Sequence, residues 1–223
     1  DQIDTELGQN LDYAFSDDFG YLTACPTNVG TGIRMSVLIH LPGLVLTDNI
    51  DPIIRGMTEI GFAVRGLYGE GTDAFGNLYQ LSNQWTLGFT EQDVVANIDR
   101  VVRQLVDYEN RACEALLKEA PAQIEDRVWR AYGMLCYARV LTEHETIEAL
   151  SSLRMGMRMG LMDGIGSVPL NRLLILTQSA HVQKIAGKTL EMEEQNELRS
   201  NLVRRHLDPS VSSSLRQPTE RST

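Results

Sequence analysis

The sequence predicts an α+β fold, with an antiparallel β-sheet flanked by helices in its first half and a helical C-terminal module after it. Three observations carry this expectation. Residues 34–41 alternate with the period of a strand, with Met35, Val37, Ile39 and Leu41 on one face and Arg34, Ser36 and His40 on the other. From Thr90 onward, apolar residues recur instead at intervals of three and four, the spacing of amphipathic helices. Two capping signatures, Thr90 with Asp93 and Thr142 with Glu145, mark helix starts in that second half.

Taken in order, residues 6–15 are expected to form a short helix. In the strand at 34–41, Leu38 interrupts the polar face, so both faces are expected to be covered. Pro42 ends that strand, and a helix is expected over 48–60. A second strand follows over 62–67, then a loop rich in glycine (Gly66, Gly69, Gly71, Gly76), then a strand over 77–81. A long helix over 90–117 places Val94, Ile98, Val101, Val102, Leu105, Ala112 and Leu116 on one side. Pro121 suits the first turn of the next helix, whose stripe is Ile124, Val128, Ala131, Tyr132 and Leu135. A third helix starts at Thr142, and shorter ones are expected over 169–177 and 191–206. The segment 208–223 is rich in Ser, Pro, Thr and Arg without a core pattern and is expected to be disordered. This divides the chain into an α/β part (1–119), a helical module (121–207) and a tail (208–223), with no internal repeat.

Composition narrows the classes of function. The chain has 223 residues with 43% hydrophobic and 22% charged, a length and balance that support a globular core. No apolar run approaches the roughly 20 residues of a membrane-spanning helix, so a membrane role is not expected. A formal charge of −10 argues against nucleic-acid binding, which needs a basic stripe to meet phosphates. Cys25, Cys113 and Cys136 are an odd number with no C-x-x-C spacing, as in a reduced cytoplasmic protein. The four histidines, His40, His144, His181 and His206, lack metal-ligand spacing. The chain opens on Asp1 rather than Met, without a basic and then apolar leader, and is expected to be a fragment.

Three segments are candidates for chemistry. Gly187-Lys188-Thr189 looks like the end of a P-loop, but Val182 stands where the motif needs its earlier glycine, and no strand precedes it. The run Cys25-Pro26-Thr27-Asn28-Val29-Gly30-Thr31-Gly32-Ile33-Arg34 makes a tight loop entering the strand. Its cysteine is either a small buried residue beside a turn or an exposed thiolate with a pKa lowered by neighbouring cations. Arg65-Gly66-Leu67-Tyr68-Gly69-Glu70-Gly71-Thr72-Asp73 is either a flexible turn or a loop that closes on phosphates and aims a carboxylate.

Together, residues 21–34 and the segment from Arg65 to Glu70 resemble the signature and the second nucleotide-binding segment of the phosphagen (guanidino) kinases. The resemblance extends from Asp1 to about Leu207 and implies the partial guanido kinase catalytic fold. It is nearest to the bacterial protein arginine kinase branch. Leu38 stands where metabolite kinases usually have histidine, Gly71 stands where they have the histidine of Gly-Glu-His, and a helical module follows the long helix. In that branch such a module is associated with dimerisation and substrate binding.

The resemblance implies ATP as phosphoryl donor, Mg²⁺ bridging its phosphates, and an arginine nitrogen as acceptor. Arg34, Met35, Ser36, Val37 and Leu38, with Arg65, Gly66, Leu67, Tyr68, Gly69 and Glu70, would bind the nucleotide. The planar guanidinium groups of Arg34 and Arg65 suit phosphate oxygens. An acceptor arginine must lose a proton before it attacks, so a carboxylate is needed to orient it and take the proton. Glu70 is the candidate and Asp73 the alternative, while Cys25 as thiolate would orient the guanidinium. The resemblance further implies a bacterial cytoplasmic homodimer acting on proteins with exposed arginines together with the Clp protease system, in protein quality control and the stress response. The chain's acidity suits such cationic substrates.

Two departures accompany it. The branch's Arg-Asp-x-x-Arg-Ala motif for sensing phosphoarginine corresponds to Gln195-Asn196-Glu197-Leu198-Arg199-Ser200, where only the second arginine is kept, which argues against feedback through that pocket. The family's other phosphate-binding arginines and main catalytic glutamate lie upstream of the segment matching Asp1, so activity is expected only of the full-length protein. The competing expectations are a catalytically incomplete adapter that binds proteins, and a kinase of a free guanidino metabolite.

Overall fold

The computed structural model describes residues 2–67, 74–162 and 167–207, and its first half is mixed and its second helical. The chain opens with α1 (Gln2–Gly8) and two short antiparallel strands, β1 (Phe15–Ser16) and β2 (Gly20–Tyr21). The first helix is therefore earlier and shorter than expected. Asn10 turns its side-chain amide back onto the Glu6 carbonyl at 3.0 Å, and Phe15 pairs with Tyr21 instead.

The main sheet holds β3 (Ser36–His40), β4 (Phe62–Gly66) and β5 (Leu78–Asn83), with β5 in the middle and both pairings antiparallel. Two helices separate β3 from β4: α2 (Pro42–Leu46) and α3 (Ile50–Glu59). The sequence offered one helix there. Pro42 does end the strand, but it also sits in the first turn of α2, where its missing N–H costs nothing. The free N–H groups of Gly43 and Leu44 donate to the Glu109 carboxylate at 2.8 and 2.9 Å, a charge well placed at a helix N-terminus.

The long α4 (Glu91–Glu119) buries Val94, Ile98, Val101 and Leu105 against Phe62 and Leu81 of the sheet. Met35, Val37, Ile39 and Val64 pack on the same cluster, so the predicted apolar face of β3 is the core face. The expectation of cover on both faces fails, because Leu38 is 50% exposed. Its partners in register, Gln80 on β5 and then Arg65 on β4, are exposed too. The start of α4 carries the predicted cap. Asp93 N–H donates to the Thr90 hydroxyl at 3.2 Å, and Thr90 N–H returns a bond to Asp93 at 2.9 Å.

The second half contains α5 (Pro121–Tyr137), α6 (Glu143–Arg158), α7 (Ser167–Leu176), α8 (Ser179–Ala186) and α9 (Met192–Leu207). Val128, Leu135, Leu153, Leu173, Val182 and Val203 form its fully buried interior. A full capping box between Thr142 and Glu145 opens α6. Helix α8 escaped the sequence reading because Val182 is its one buried residue, too little for a stripe. Arg199 is 1% exposed, and its guanidinium donates to the carbonyls of Thr177 (2.7 Å) and Leu141 (2.9 Å) and to Asn196 Oδ1 (2.6 Å).

By their packing, the described residues up to 74 with 78–111 form one compact unit, and 75–77 with the described residues from 112 to 207 form another. Helix α4 runs from one into the other, and the turn Phe75–Asn77 belongs with the helices although it lies between β4 and β5 in sequence. No helix among the described residues is long and apolar enough to cross a membrane. The tail at 208–223 lies outside the described residues.

Candidate functional site

The loop bearing Cys25 is built by a short 3₁₀ turn, Pro26–Asn28, with Cys25 in extended conformation before it. Its carbonyl accepts from Thr23 Oγ1 at 2.7 Å and from Asn28 N–H at 3.0 Å. The thiol is exposed, which removes the buried alternative. Its sulfur lies 3.0 Å from the Thr27 hydroxyl. That hydroxyl, and then the Thr27 backbone, hold the thiol pKa below its ordinary value. The cause is thus hydrogen bonding to the thiolate, in place of the cations expected from sequence.

Two residues that the sequence reading passed over fasten this loop. Thr86 Oγ1 donates to the carbonyls of Val29 (2.8 Å) and Thr27 (3.1 Å), and its own carbonyl accepts from Thr31 N–H at 3.0 Å. Gly30 has φ +112, and a Cβ there would lie 2.2 Å from the Thr86 oxygen, so only glycine fits. Asn83, at the end of β5, accepts from Met35 N–H at 2.7 Å and donates to the Ile33 carbonyl at 3.1 Å. Both residues are at least nine-tenths buried, so their polar atoms act as internal ties. The only signal in the sequence was polar residues continuing an apolar strand, which is too common to single them out.

Beyond Asn83, the open face of the sheet presents the nucleotide-binding candidates. Arg34, Ser36 and Leu38 are exposed, while Met35 and Val37 turn toward the core. Arg34 reaches along the sheet so that its Nη2 donates to Ser82 Oγ at 3.2 Å. Arg65 stands opposite Gln80, which stands opposite Leu38, so alternation puts Arg65 on the same face. Gly66 pairs with Tyr79, and Leu67 N–H donates to the Leu78 carbonyl at 2.8 Å. The structure thus brings Arg34 and Arg65 onto one face, whereas the side chains of Met35 and Val37, expected among the nucleotide-binding residues, turn away from it into the core.

Tyr68, Gly69, Glu70 and Asp73 lie outside the described residues. Among the described residues no group of three or more His, Cys, Asp or Glu side chains is arranged to hold a metal ion. Gly187 has φ +71 and caps α8, so Gly187-Lys188-Thr189 follows a helix where a phosphate-binding loop would follow a strand. A cavity of about 280 Å³ bounded by Ile60, Phe62, Trp85, Phe89 and Arg100 contains none of the residues selected from sequence.

Comparison with known proteins gives two family matches. The model for the ATP:guanido phosphotransferase C-terminal catalytic domain matches residues 1–112, and that for the protein-arginine kinase McsB C-terminal domain matches residues 121–222. The chain is 47% identical over 206 residues to a protein-arginine kinase of Desulforamulus reducens, covering 92% of this chain and 58% of that protein. It is 45% identical over 211 residues to that of Bacillus velezensis, covering 95% and 58%. The protein-arginine kinase of Bacillus subtilis is 45% identical over 206 residues, covering 92% and 57%. The chain therefore spans just under three fifths of the curated relatives it matches. Among solved structures, a lombricine kinase is 32% identical over 50% of this chain and 30% of that one, with a TM-score of 0.42.

Proposed function

This chain belongs to the ATP:guanido phosphotransferase family, and from that premise we propose that the full-length protein transfers the γ-phosphoryl group of ATP to arginine side chains of proteins. The observation that carries this reading is the open sheet face presenting Arg34 and Arg65, tied through Asn83 to the loop that exposes Cys25. Two guanidinium groups on one face suit the clustered negative charge of a nucleotide's phosphates. The similarity of residues 121–222 to the protein-arginine kinase module supports a protein acceptor over a free metabolite.

Phosphoryl transfer depends on positioning and on spreading charge over the phosphate oxygens. In the proposed reaction an acceptor guanidinium nitrogen forms a bond to the γ-phosphorus while the bond from phosphorus to the β,γ-bridging oxygen breaks, releasing ADP. The acceptor's proton passes to a carboxylate, the role proposed for Glu70 with Asp73 as the alternative. Arg34 and Arg65 would hold the phosphates, and the Cys25 thiolate would orient the acceptor cation. Mg²⁺ would travel with the nucleotide, because phosphate oxygens are the hard ligands it prefers. Proteins with exposed arginines, a Clp-type protease, a second copy of the chain and a cytoplasmic setting in protein quality control belong to this proposal as well.

The test is to incubate the full-length protein with ATP, Mg²⁺ and a protein substrate, then measure intact mass and acid lability of the phosphate. Acid-labile phosphoarginine that falls sharply in Cys25→Ala and in Glu70→Gln is the expected result. Phosphate found only on free arginine or creatine would point to a metabolite kinase. Folded protein that phosphorylates nothing would point to the adapter.

A further inference from the structure

The turn Phe75–Asn77, which leads into β5, is held along one stripe of α6. The Phe75 ring meets the His144 ring edge-on with centroids 4.7 Å apart. Gly76 N–H donates to Glu148 Oε1 at 2.6 Å, and Asn77 Nδ2 donates to Ser151 Oγ at 2.8 Å. A Cβ on Gly76 would lie 2.6 Å from Ile147 Cγ2, so the backbone itself is seated against the helix. His144, Ile147, Glu148 and Ser151 follow the i, i+3, i+4, i+7 spacing of a single helix face.

Gly76 and Asn77 both have left-handed backbones, with φ of 65° and 56°. Glycine and asparagine are the residues that adopt this conformation most readily, so the sequence permits the turn and the contacts with α6 fix where it sits. Next in the chain, Leu78 and Tyr79 carry the other side of the connection: Leu78 accepts from Leu67 N–H, and Tyr79 pairs with Gly66 beside Arg65. The stripe on α6 therefore holds the turn directly before Leu78, Tyr79 and Gln80, the residues against which Leu67, Gly66 and Arg65 are registered.

We propose that this stripe of α6 is an anchor that positions the turn Phe75–Asn77 and, through β5, the end of β4 that bears Arg65 for phosphoryl transfer, with Glu148 and Ser151 as positioning residues. The helical module then sets the rate of the chemistry through its grip on Phe75–Asn77, in addition to any role in binding partners. This inference rests on the kinase reading above.

The test uses the full-length protein, ATP with Mg²⁺, and reduced, carboxymethylated lysozyme as an unfolded, arginine-containing substrate. Glu148→Ala removes the acceptor for Gly76 N–H, whereas Glu148→Gln keeps an oxygen there. The expected result for Glu148→Ala is a kcat lower by about tenfold, the size of one lost hydrogen bond to a charged group, with KM for ATP unchanged. Hydrogen exchange at the Gly76 amide should accelerate while α5 and α9 keep wild-type protection, and Glu148→Gln should recover most of kcat. Ser151→Ala, which removes only a hydroxyl, should lower kcat in the same direction and serves if Glu148→Ala does not fold. Unchanged kcat in an active enzyme, unchanged exchange at Gly76, or a Gln variant as impaired as Ala would each overturn the anchor alone. A wild type that phosphorylates no arginine would overturn the kinase reading, and the anchor's catalytic role with it.

Discussion

Cys25 shows how one hydroxyl sets the chemistry of a side chain. Its thiol is exposed, and Thr27 favours the charged form, so thiolate accumulates at a lower pH than in a free cysteine. Replacing Thr27 with Val removes the hydroxyl, and the midpoint of the alkylation rate of Cys25 against pH should move upward. An unchanged midpoint would show that the Thr27 hydroxyl is not the cause. For Arg34, loss of a charge-assisted bond to phosphate corresponds to roughly 10- to 100-fold in affinity. Arg34→Ala in the full-length protein should therefore raise KM for ATP by about that factor, as steady-state kinetics would report. Cys25, Arg34 and Arg65 were legible because a long motif marks them. Asn83 and Thr86 were not, since an Asn or Thr becomes an internal tie only when a distant loop supplies its partners.

Among the elements, those with local signals were the ones found in advance. The Thr142 capping box at α6 is complete, and its replacement with Ala should cost about 1 kcal/mol in chemical denaturation. Glu145, the other half of that box, is held below the ordinary glutamate pKa of 4.5 by the Thr142 backbone N–H first, then the Thr142 hydroxyl, with a smaller contribution from His144. A carboxylate depressed in the folded state stabilises above its unfolded pKa, and that contribution disappears as pH falls through the folded value. The difference in Tm between wild type and Glu145→Ala should thus be constant above about pH 5 and shrink below 4.5. A gap that persists into acid would mean that the carboxylate charge is not responsible. Helix α2 had no comparable signal, because its N-terminus is satisfied by Glu109, 65 residues or more along the chain. For the same reason the first helix was misplaced, since strand pairing at Phe15 outweighed a weak local preference.

For the molecule as a whole, buried polar ties join elements that are remote in sequence. Arg199 was noticed in the sequence as the retained arginine of a sensing motif, yet its guanidinium is internal and bonded to the carbonyls of Thr177 and Leu141. Arg199→Met should destabilise the helical unit by about 2–6 kcal/mol, from two buried carbonyls left without donors. Thermal unfolding followed by circular dichroism would measure this, and a near-neutral result would mean that water replaces the guanidinium. The sequence by itself determined the α+β class, the core face of β3, the two caps and the family, because periodicity, capping and a contiguous motif are written within a few residues of one another. Only the tertiary structure decided that the other face of the sheet stays open, that Arg34 and Arg65 share it, and that the turn before β5 is held by α6. Those depend on pairings between segments far apart in the chain, and no local pattern encodes a contact whose partner is supplied by another element.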